Sequence, residues 1–287
     1  MIQSIRSLFN APYNKKHPFF ALNRFVYWKL IRLLKLKNIK YRIWGDKTLL
    51  MDYDSLQNMW IMYNYILDWE EFNLISKYVR EDDQIMDVGA NIGAYSVWMS
   101  KFILSPGKIH AFEPDQDNFT KLLANISNNR IEKLIAVNKT ALSDIDGILS
   151  FTTGLDRLNH IVKDEETNTV KISAQRLDTY MREQSISRIA YLKIDVEGFE
   201  YAVLKGAHEA LSEGRIGILQ LEINKTLSNS GISIKDLLDL IAQYKYTLCS
   251  FDVDANRLLP VSFTEERENY FAVYDLEKAN ARLREPS

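Results

Sequence analysis

The chain has 287 residues, 46% hydrophobic and 26% charged, enough apolar material for a large core without disulfides or a structural metal; this excludes a disordered tail or a cystine-stapled scaffold. A single cysteine, Cys249, permits no internal disulfide and suits a reducing compartment. The formal net charge of -2 names no partner, but residues 1–47 carry eleven Lys or Arg against the lone acid Asp46, so the arm is strongly basic and the remainder acidic.

The opening, Met1-Ile2-Gln3-Ser4-Ile5-Arg6, lacks the charged, apolar and small-residue regions of a secretory leader. The Asn-x-Ser/Thr matches at Asn118, Asn125, Asn138 and Asn224 therefore carry no weight, and a cytoplasmic location is expected. Residues 1–20 read as irregular, punctuated by Pro12 and Pro18. Ala21 to Lys37 has helical spacing, with Lys29, Arg32 and Lys35 three apart on one side. The apolar stretch Phe19 to Leu36 is broken by Arg24, Lys29, Arg32 and Lys35, which disqualifies it as a membrane span. Residues 39–53 predict a short strand pair around Gly45-Asp46, and Glu70 to Arg80 a helix.

Regular alternation follows. Gln84 to Val88 predicts a buried strand stopped by Gly89, then come a helix over Ile92 to Leu104, a turn at Ser105-Pro106-Gly107 and a strand over Lys108 to Phe112. Asp115 caps a helix to about Ser127, and Lys133 to Asn138 is a third strand. About fifty extra residues come next, with an added strand pair at Ile148–Thr152 and Thr169–Ser173. Strands over Ile189–Ile194, Ile216–Ile223, Tyr246–Phe251 and Tyr270–Tyr274 complete the set, with helices over Glu200–Leu211 and Ser233–Gln243. This order predicts an α/β fold with a mostly parallel sheet covered on both faces.

The sharpest signal is Asp87-Val88-Gly89-Ala90-Asn91-Ile92-Gly93, between a strand and a helix. Glycine there turns tightly and brings backbone N–H groups to a ligand. Glu113 ends the next strand, where an acid accepts hydrogen bonds from ribose hydroxyls. A nicotinamide dinucleotide needs room for a pyrophosphate, which a carboxylate at Asp87 would repel. The ammonium and sulfonium groups of S-adenosylmethionine would be attracted instead. A nicotinamide-dependent oxidoreductase and a non-catalytic binding module are the alternatives; the loop chemistry disfavours the first, and the complete donor motif disfavours the second.

With Ala111-Phe112-Glu113-Pro114, Leu192-Lys193-Ile194-Asp195-Val196-Glu197-Gly198-Phe199-Glu200 and Leu221-Glu222, this loop resembles the FkbM family of S-adenosylmethionine-dependent O-methyltransferases over roughly residues 55 to 275. The resemblance implies a class I, Rossmann-like methyltransferase fold, a seven-stranded sheet with its last strand antiparallel. It also implies methylation of a hydroxyl, on a sugar, glycan or natural product. Residues 1–54 are then a basic N-terminal extension or lid, and 55–287 the donor-binding domain. By the resemblance, Asp87, Gly89, Ala90, Asn91 and Gly93 hold the amino-acid part of the donor, Glu113 and Pro114 lie at the ribose, and Thr140 to Ser143, with Ala141, near the adenine. Asp195 faces the methyl group and the acceptor.

An aliphatic hydroxyl must lose its proton as it attacks, which calls for a general base or an acidifying metal. Asp195, Glu197 and Glu222 stand at strand ends where ligands bind. Asp195 and Glu222 are candidate catalytic groups and candidate ligands of a divalent ion, magnesium or manganese; Glu197 is equally placed to cap the helix after Gly198. His160, in Arg157-Leu158-Asn159-His160, is a further candidate base. The expected partner is a small-molecule or glycan acceptor. Nucleic acid is not expected, because the body is acidic and carries no Asn-Pro-Pro-Tyr-like motif. The aromatic and basic residues of 19–37 suit either a peripheral membrane contact or packing that completes the acceptor site.

Overall fold

In the computed structural model, which describes residues 8–66, 68–152, 161–162 and 169–285, Pro12 and Pro18 open helices where the sequence suggests loop. Proline is suited to a first helical turn, whose N–H groups have no intrahelical partner. Helices α1 (Pro12–Lys16) and α2 (Pro18–Leu33) are followed by an antiparallel hairpin, β1 (Ile39–Arg42) and β2 (Thr48–Met51), and by α3 (Leu56–Asn64), capped by the Ser55 hydroxyl. Residues 1–73 form one compact unit and 74–287 another. In the first, Trp28 and Ile31 of α2, Leu49 and Met51 of β2, and Ile61 and Met62 of α3 are buried. The buried Arg24 donates from Nε to the Met62 carbonyl (3.1 Å) and also reaches Asn14, whose amide donates to the carbonyls of Leu8 (2.7 Å) and Tyr63 (2.6 Å). One cation thus ties α1, α2 and the end of α3 together. Helix α4 (Trp69–Tyr78) leads out of this unit.

In the second unit, β3 (Gln84–Val88), α5 (Ala94–Met99), β4 (Lys108–Phe112), α6 (Gln116–Asn129) and β5 (Ile135–Asn138) follow the predicted alternation. The inserted stretch contributes β6 (Ala141–Leu142), β7 (Gly147–Thr152), β8 (Ile161–Val162) and β9 (Thr169–Gln175), a small separate sheet in the order β6-β9-β7-β8. Then come α7 (Leu177–Glu183), β10 (Ile189–Ile194), α8 (Glu200–Lys205), α9 (His208–Ser212), β11 (Ile216–Glu222), a 3₁₀ turn over Lys225–Ser230, α10 (Ile234–Gln243), β12 (Thr247–Asp252), β13 (Arg257–Pro260), β14 (Asn269–Val273) and α11 (Leu276–Arg284).

The main sheet runs β13-β12-β14-β11-β10-β3-β4-β5. Strands β5, β4, β3, β10 and β11 are mutually parallel, and β14 runs antiparallel to both β11 and β12. This is the class I methyltransferase arrangement, with one strand more than the expected seven. The addition has a local cause: the Asp252 carboxylate accepts from the amides of Asp254 (3.0 Å) and Ala255 (2.9 Å), and this turn folds Arg257–Pro260 back onto β12. The order reverses between β3 and β10, and at such a reversal a crevice opens at the carboxyl ends of the strands. Among the described residues, no helix is long and apolar enough to cross a membrane.

Two predicted helices are shorter than their apolar patterns. The first begins only after Gly93. The second breaks near Gly206, where a Cβ would lie 1.9 Å from the Ser143 carbonyl oxygen. Beyond the break, buried Asp178 of α7 accepts from the amides of Glu209 (2.8 Å) and Ala210 (2.9 Å), satisfying the start of α9. Asp178→Ala strands both donors, and we expect it to cost about 2–3 kcal/mol. Urea unfolding followed by circular dichroism measures this; an unchanged midpoint would refute the capping role.

Candidate active site

The loop after β3 is set by backbone contacts. Gly89 (φ +76°) and Ala90 both donate to the Phe112 carbonyl, at 3.1 and 2.9 Å. A Cβ on Gly89 would lie 1.8 Å from the Asp195 carbonyl oxygen, so the loop lies directly on the end of β10. Asn91 adopts left-handed backbone (φ +51°), and its side-chain oxygen accepts from the Ile92 amide at 2.8 Å. Gly93 (φ +87°) leads into α5, where a Cβ would meet Leu122 of α6 at 2.5 Å.

Glu113 is buried just after β4 and joins the two loops. One carboxylate oxygen accepts from the Asn91 amide (2.7 Å), the other from the Asp115 amide (2.9 Å). Burial pushes its pKa up to about 7, against the pull of those two N–H groups. A carboxylate offers about four acceptor positions, so roughly two remain for a ligand. Pro114 follows, half-buried, ahead of Asp115, whose side chain caps α6. Ala141 is buried in β6, paired with Ala174 of β9.

Asp87 is fully buried, one oxygen accepting from the Ser96 hydroxyl (2.7 Å) and the other 3.5 Å from the Lys193 ammonium. Lys193 Nζ also lies 3.1 Å from Asp195, donates to the Gly89 carbonyl (3.4 Å) and sits 4.8 Å from the centre of the Tyr95 ring. Within the protein, the Asp87 charge is thus met by Lys193, where the sequence suggested donor cations. Sequence reasoning gave Lys193 no role. Its signal was present: a lysine inside Ile189-Ala190-Tyr191-Leu192-Lys193-Ile194, a strand buried along its whole length. Beside it on β11, Gln220 accepts from the Tyr191 hydroxyl (2.7 Å) and donates to the Tyr95 hydroxyl (3.1 Å).

Past β10, Glu197 (φ +51°) and Gly198 (φ +96°) form a left-handed turn, where a Cβ on Gly198 would lie 2.3 Å from the Thr226 carbonyl oxygen. Glu197 does not cap the next helix, as it was placed to do. Phe199 occupies the N-cap without a side-chain bond, and the buried Glu200 carboxylate holds the turn by accepting from the Val196 and Gly198 amides, both at 3.2 Å. Burial raises the Glu200 pKa to about 7.

The turn brings carboxylate oxygens of Asp195, Glu197 and Glu222 within 4.8 Å of one another. The Asp195 side chain is 41% exposed, and Glu222 also accepts from the Asn224 amide group at 2.8 Å. Burial, with Asp195, Glu197 and Glu200 nearby, raises the Glu222 pKa well above the usual carboxylate range, and it hydrogen-bonds to Asp195. Two acids this close share a proton. The structure therefore gathers Gly89, Ala90, Asn91, Gly93 and Glu113 around one loop, and Asp195 and Glu222 beside it. His160 lies outside the described residues. His110 is a buried neutral group between the Tyr180 hydroxyl (2.8 Å) and Gln84 (2.9 Å), its pKa lowered by burial to about 4. His208 contacts the Tyr244 hydroxyl at 2.7 Å.

Residues 87–248 match the sequence profile of the methyltransferase FkbM domain. The hexuronic acid methyltransferase AglP of Haloferax volcanii is 27% identical, over 67% of this chain and 74% of that protein. The 31-O-demethyl-FK506 methyltransferase FkbM of Streptomyces tacrolimicus is 29% identical, over 46% of this chain; the matched region spans only 62% of that relative. A methyltransferase FkbM structure from Methylobacillus flagellatus superposes with a TM-score of 0.45 at 16% identity, covering 75% of this chain and 52% of that one. At that score the fold class rests on the strand order above rather than on the superposition.

The contact of Gly89 with β10 can be checked directly. Gly89→Ala adds a Cβ where the Asp195 carbonyl stands and where φ is positive, so we expect a loss of more than about 2 kcal/mol. Guanidinium unfolding with an unchanged midpoint would show that the loop does not lie on the strand as described.

Proposed function

Because the chain belongs to the FkbM methyltransferase family, we propose that it is an S-adenosylmethionine-dependent O-methyltransferase acting on a hydroxyl of a sugar, glycan or natural product. The observation that carries this reading is the Asp195–Glu222 carboxyl pair beside the glycine loop. A hydroxyl acceptor must shed a proton as it attacks, and a carboxylate at the strand ends can take it. The relative named as a hexuronic acid methyltransferase supports a sugar acceptor, and the FK506 relative a natural-product hydroxyl.

When bound, S-adenosylmethionine supplies an electrophilic methyl carbon and a sulfur leaving group. The residues present fit it. Gly89 and Gly93 carry no side chain where the loop turns, and Glu113 keeps unused acceptor positions at the end of β4. In this proposal the loop from Gly89 through Ala90 and Asn91 to Gly93 takes the amino-acid part, Glu113 with Pro114 the ribose, and Ala141 the adenine side. Asp87 acts from beneath, holding Lys193 and, through Ser96, the start of α5. Asp195, the more open carboxyl, takes the acceptor proton, and Glu222 stores a proton next to it. Asp195 and Glu222 also offer the hard oxygen ligands that magnesium or manganese prefers; such an ion would lower the pKa of the acceptor hydroxyl.

Glu113→Ala should weaken S-adenosylhomocysteine binding by about 1–3 kcal/mol in calorimetry; unaltered affinity removes Glu113 from the ribose. The ionised form accepts the hydroxyls, and its pKa in the free protein is about 7. Donor affinity should therefore be constant above roughly pH 8 and fall by up to about tenfold per unit below pH 7, a slope absent in Glu113→Gln.

Asp195→Asn should leave the fold intact and cut turnover at least ~10²-fold. Near-normal turnover by the folded variant discards Asp195 as base and as ligand. Loss of activity in EDTA, restored by magnesium or manganese, selects the metal; indifference to EDTA selects the metal-free carboxylate.

A further inference from the structure

Helix α2 is apolar on two opposite sides. Ala21, Trp28 and Ile31, with Arg24, are buried within the first unit. Phe19, Leu22, Val26, Leu30 and Leu33 are exposed, Phe19 at 88% and Leu33 at 76%. Their spacings of three, four, four and three place them within an arc of roughly 80°, opposite the buried face. A helix covered on one side ordinarily turns polar residues outward, so this ridge is an unpartnered apolar face.

Charge indicates its occupant. Lys29 and Arg32 flank the ridge, and exposed Lys35 follows the helix. Among the described residues no carboxylate pairs with any of the three, and the chain has no Asp or Glu before Asp46. The buried Arg24 hydrogen-bonds inside the unit, to the Met62 carbonyl and Asn14, and takes no part. At 16 residues α2 is roughly 24 Å long, too short and too basic to span a bilayer, but suited to lying in the plane of one. Large side chains on one line, with cations along the flank, is the pattern by which a helix enters the headgroup region of an anionic bilayer.

We propose that α2 docks the protein on an anionic membrane surface, with Phe19, Leu22, Val26, Leu30 and Leu33 inserted among the lipid and Lys29, Arg32 and Lys35 at the headgroups. The apolar ridge sets the depth, and the cations select anionic over neutral lipid and make binding sensitive to salt.

The test uses the full chain and sucrose-loaded vesicles of phosphatidylcholine, with or without 30% phosphatidylglycerol. We expect sedimentation with the anionic vesicles at 50 mM salt, at least ~10-fold weaker partitioning at 500 mM, and at least ~10-fold weaker partitioning to neutral vesicles. Leu30→Ser with Leu33→Ser, and separately Lys29→Glu with Arg32→Glu, should each reduce anionic partitioning at least ~10-fold. All four residues are exposed, and unchanged circular dichroism checks that the variants fold. Absence of binding to anionic vesicles, or equal binding to both compositions, overturns the proposal. So does a concentration-dependent dimer in sedimentation velocity that Leu30→Ser with Leu33→Ser abolishes, since the ridge would then bind a second copy of the chain.

Discussion

The second unit is organised around one buried cation. Lys193 stands near the carboxyl end of β10 and meets Asp87 of β3, Asp195 just past its own strand and the carbonyl of Gly89 in the loop between β3 and α5. Burying an ammonium costs several kcal/mol unless carboxylates and acceptors surround it, and here they do so from three segments. The pairing locks β3 to β10 at the point where the strand order reverses. It also links the loop after β3 to the carboxyl pair, because Asp195 faces Lys193 on one side and Glu222 on the other. Removing Asp87, the fully buried partner, would leave an uncompensated charge in the core, a loss of about 3–5 kcal/mol in comparable buried pairs.

Two further carboxylates work the same way at the loops. Glu113 accepts the amides of Asn91 and Asp115, and Glu200 those of Val196 and Gly198. Each is buried, each has its pKa raised to about 7, and each holds a backbone turn that lacks secondary-structure partners of its own. Left-handed residues cluster in these turns, at Gly89, Asn91 and Gly93 in one and Glu197 and Gly198 in the other. Acidic side chains thus differ in what they do at this end of the sheet: Glu113 and Glu200 shape the turns, whereas the more open Asp195 and Glu222 lie close to one another beside them.

The first unit uses the opposite charge for a similar purpose. Arg24 is buried, satisfies the Met62 carbonyl and Asn14, and packs over the Tyr65 ring at 4.9 Å. With this one cation absorbed inside, the basic excess of the arm lies outside, next to an apolar ridge that the rest of the unit does not cover.

In the second unit the sequence made legible the succession of main-sheet strands other than β13 and several of the helices, though not α7 and α11, because buried strands there are short apolar runs punctuated by glycine and polar caps. Gln84–Val88, Lys108–Phe112 and Ile189–Ile194 coincide with the observed strands. It also marked Gly89, Glu113, Asp195 and Glu222 as strand-end residues, since a strand that stops at a glycine or an acid is visible locally. It did not reveal the fold-back of β13, the helix at Pro12, the break at Gly206 or the role of Lys193. The break at Gly206 and the role of Lys193 depend on contacts between residues far apart in the chain: the Ser143 carbonyl against Gly206, Asp178 on the start of α9, Asp87 opposite Lys193 on the neighbouring strand. Periodicity reports which face of an element is buried. Which charge meets which across that buried face is decided only when the strands are set in register.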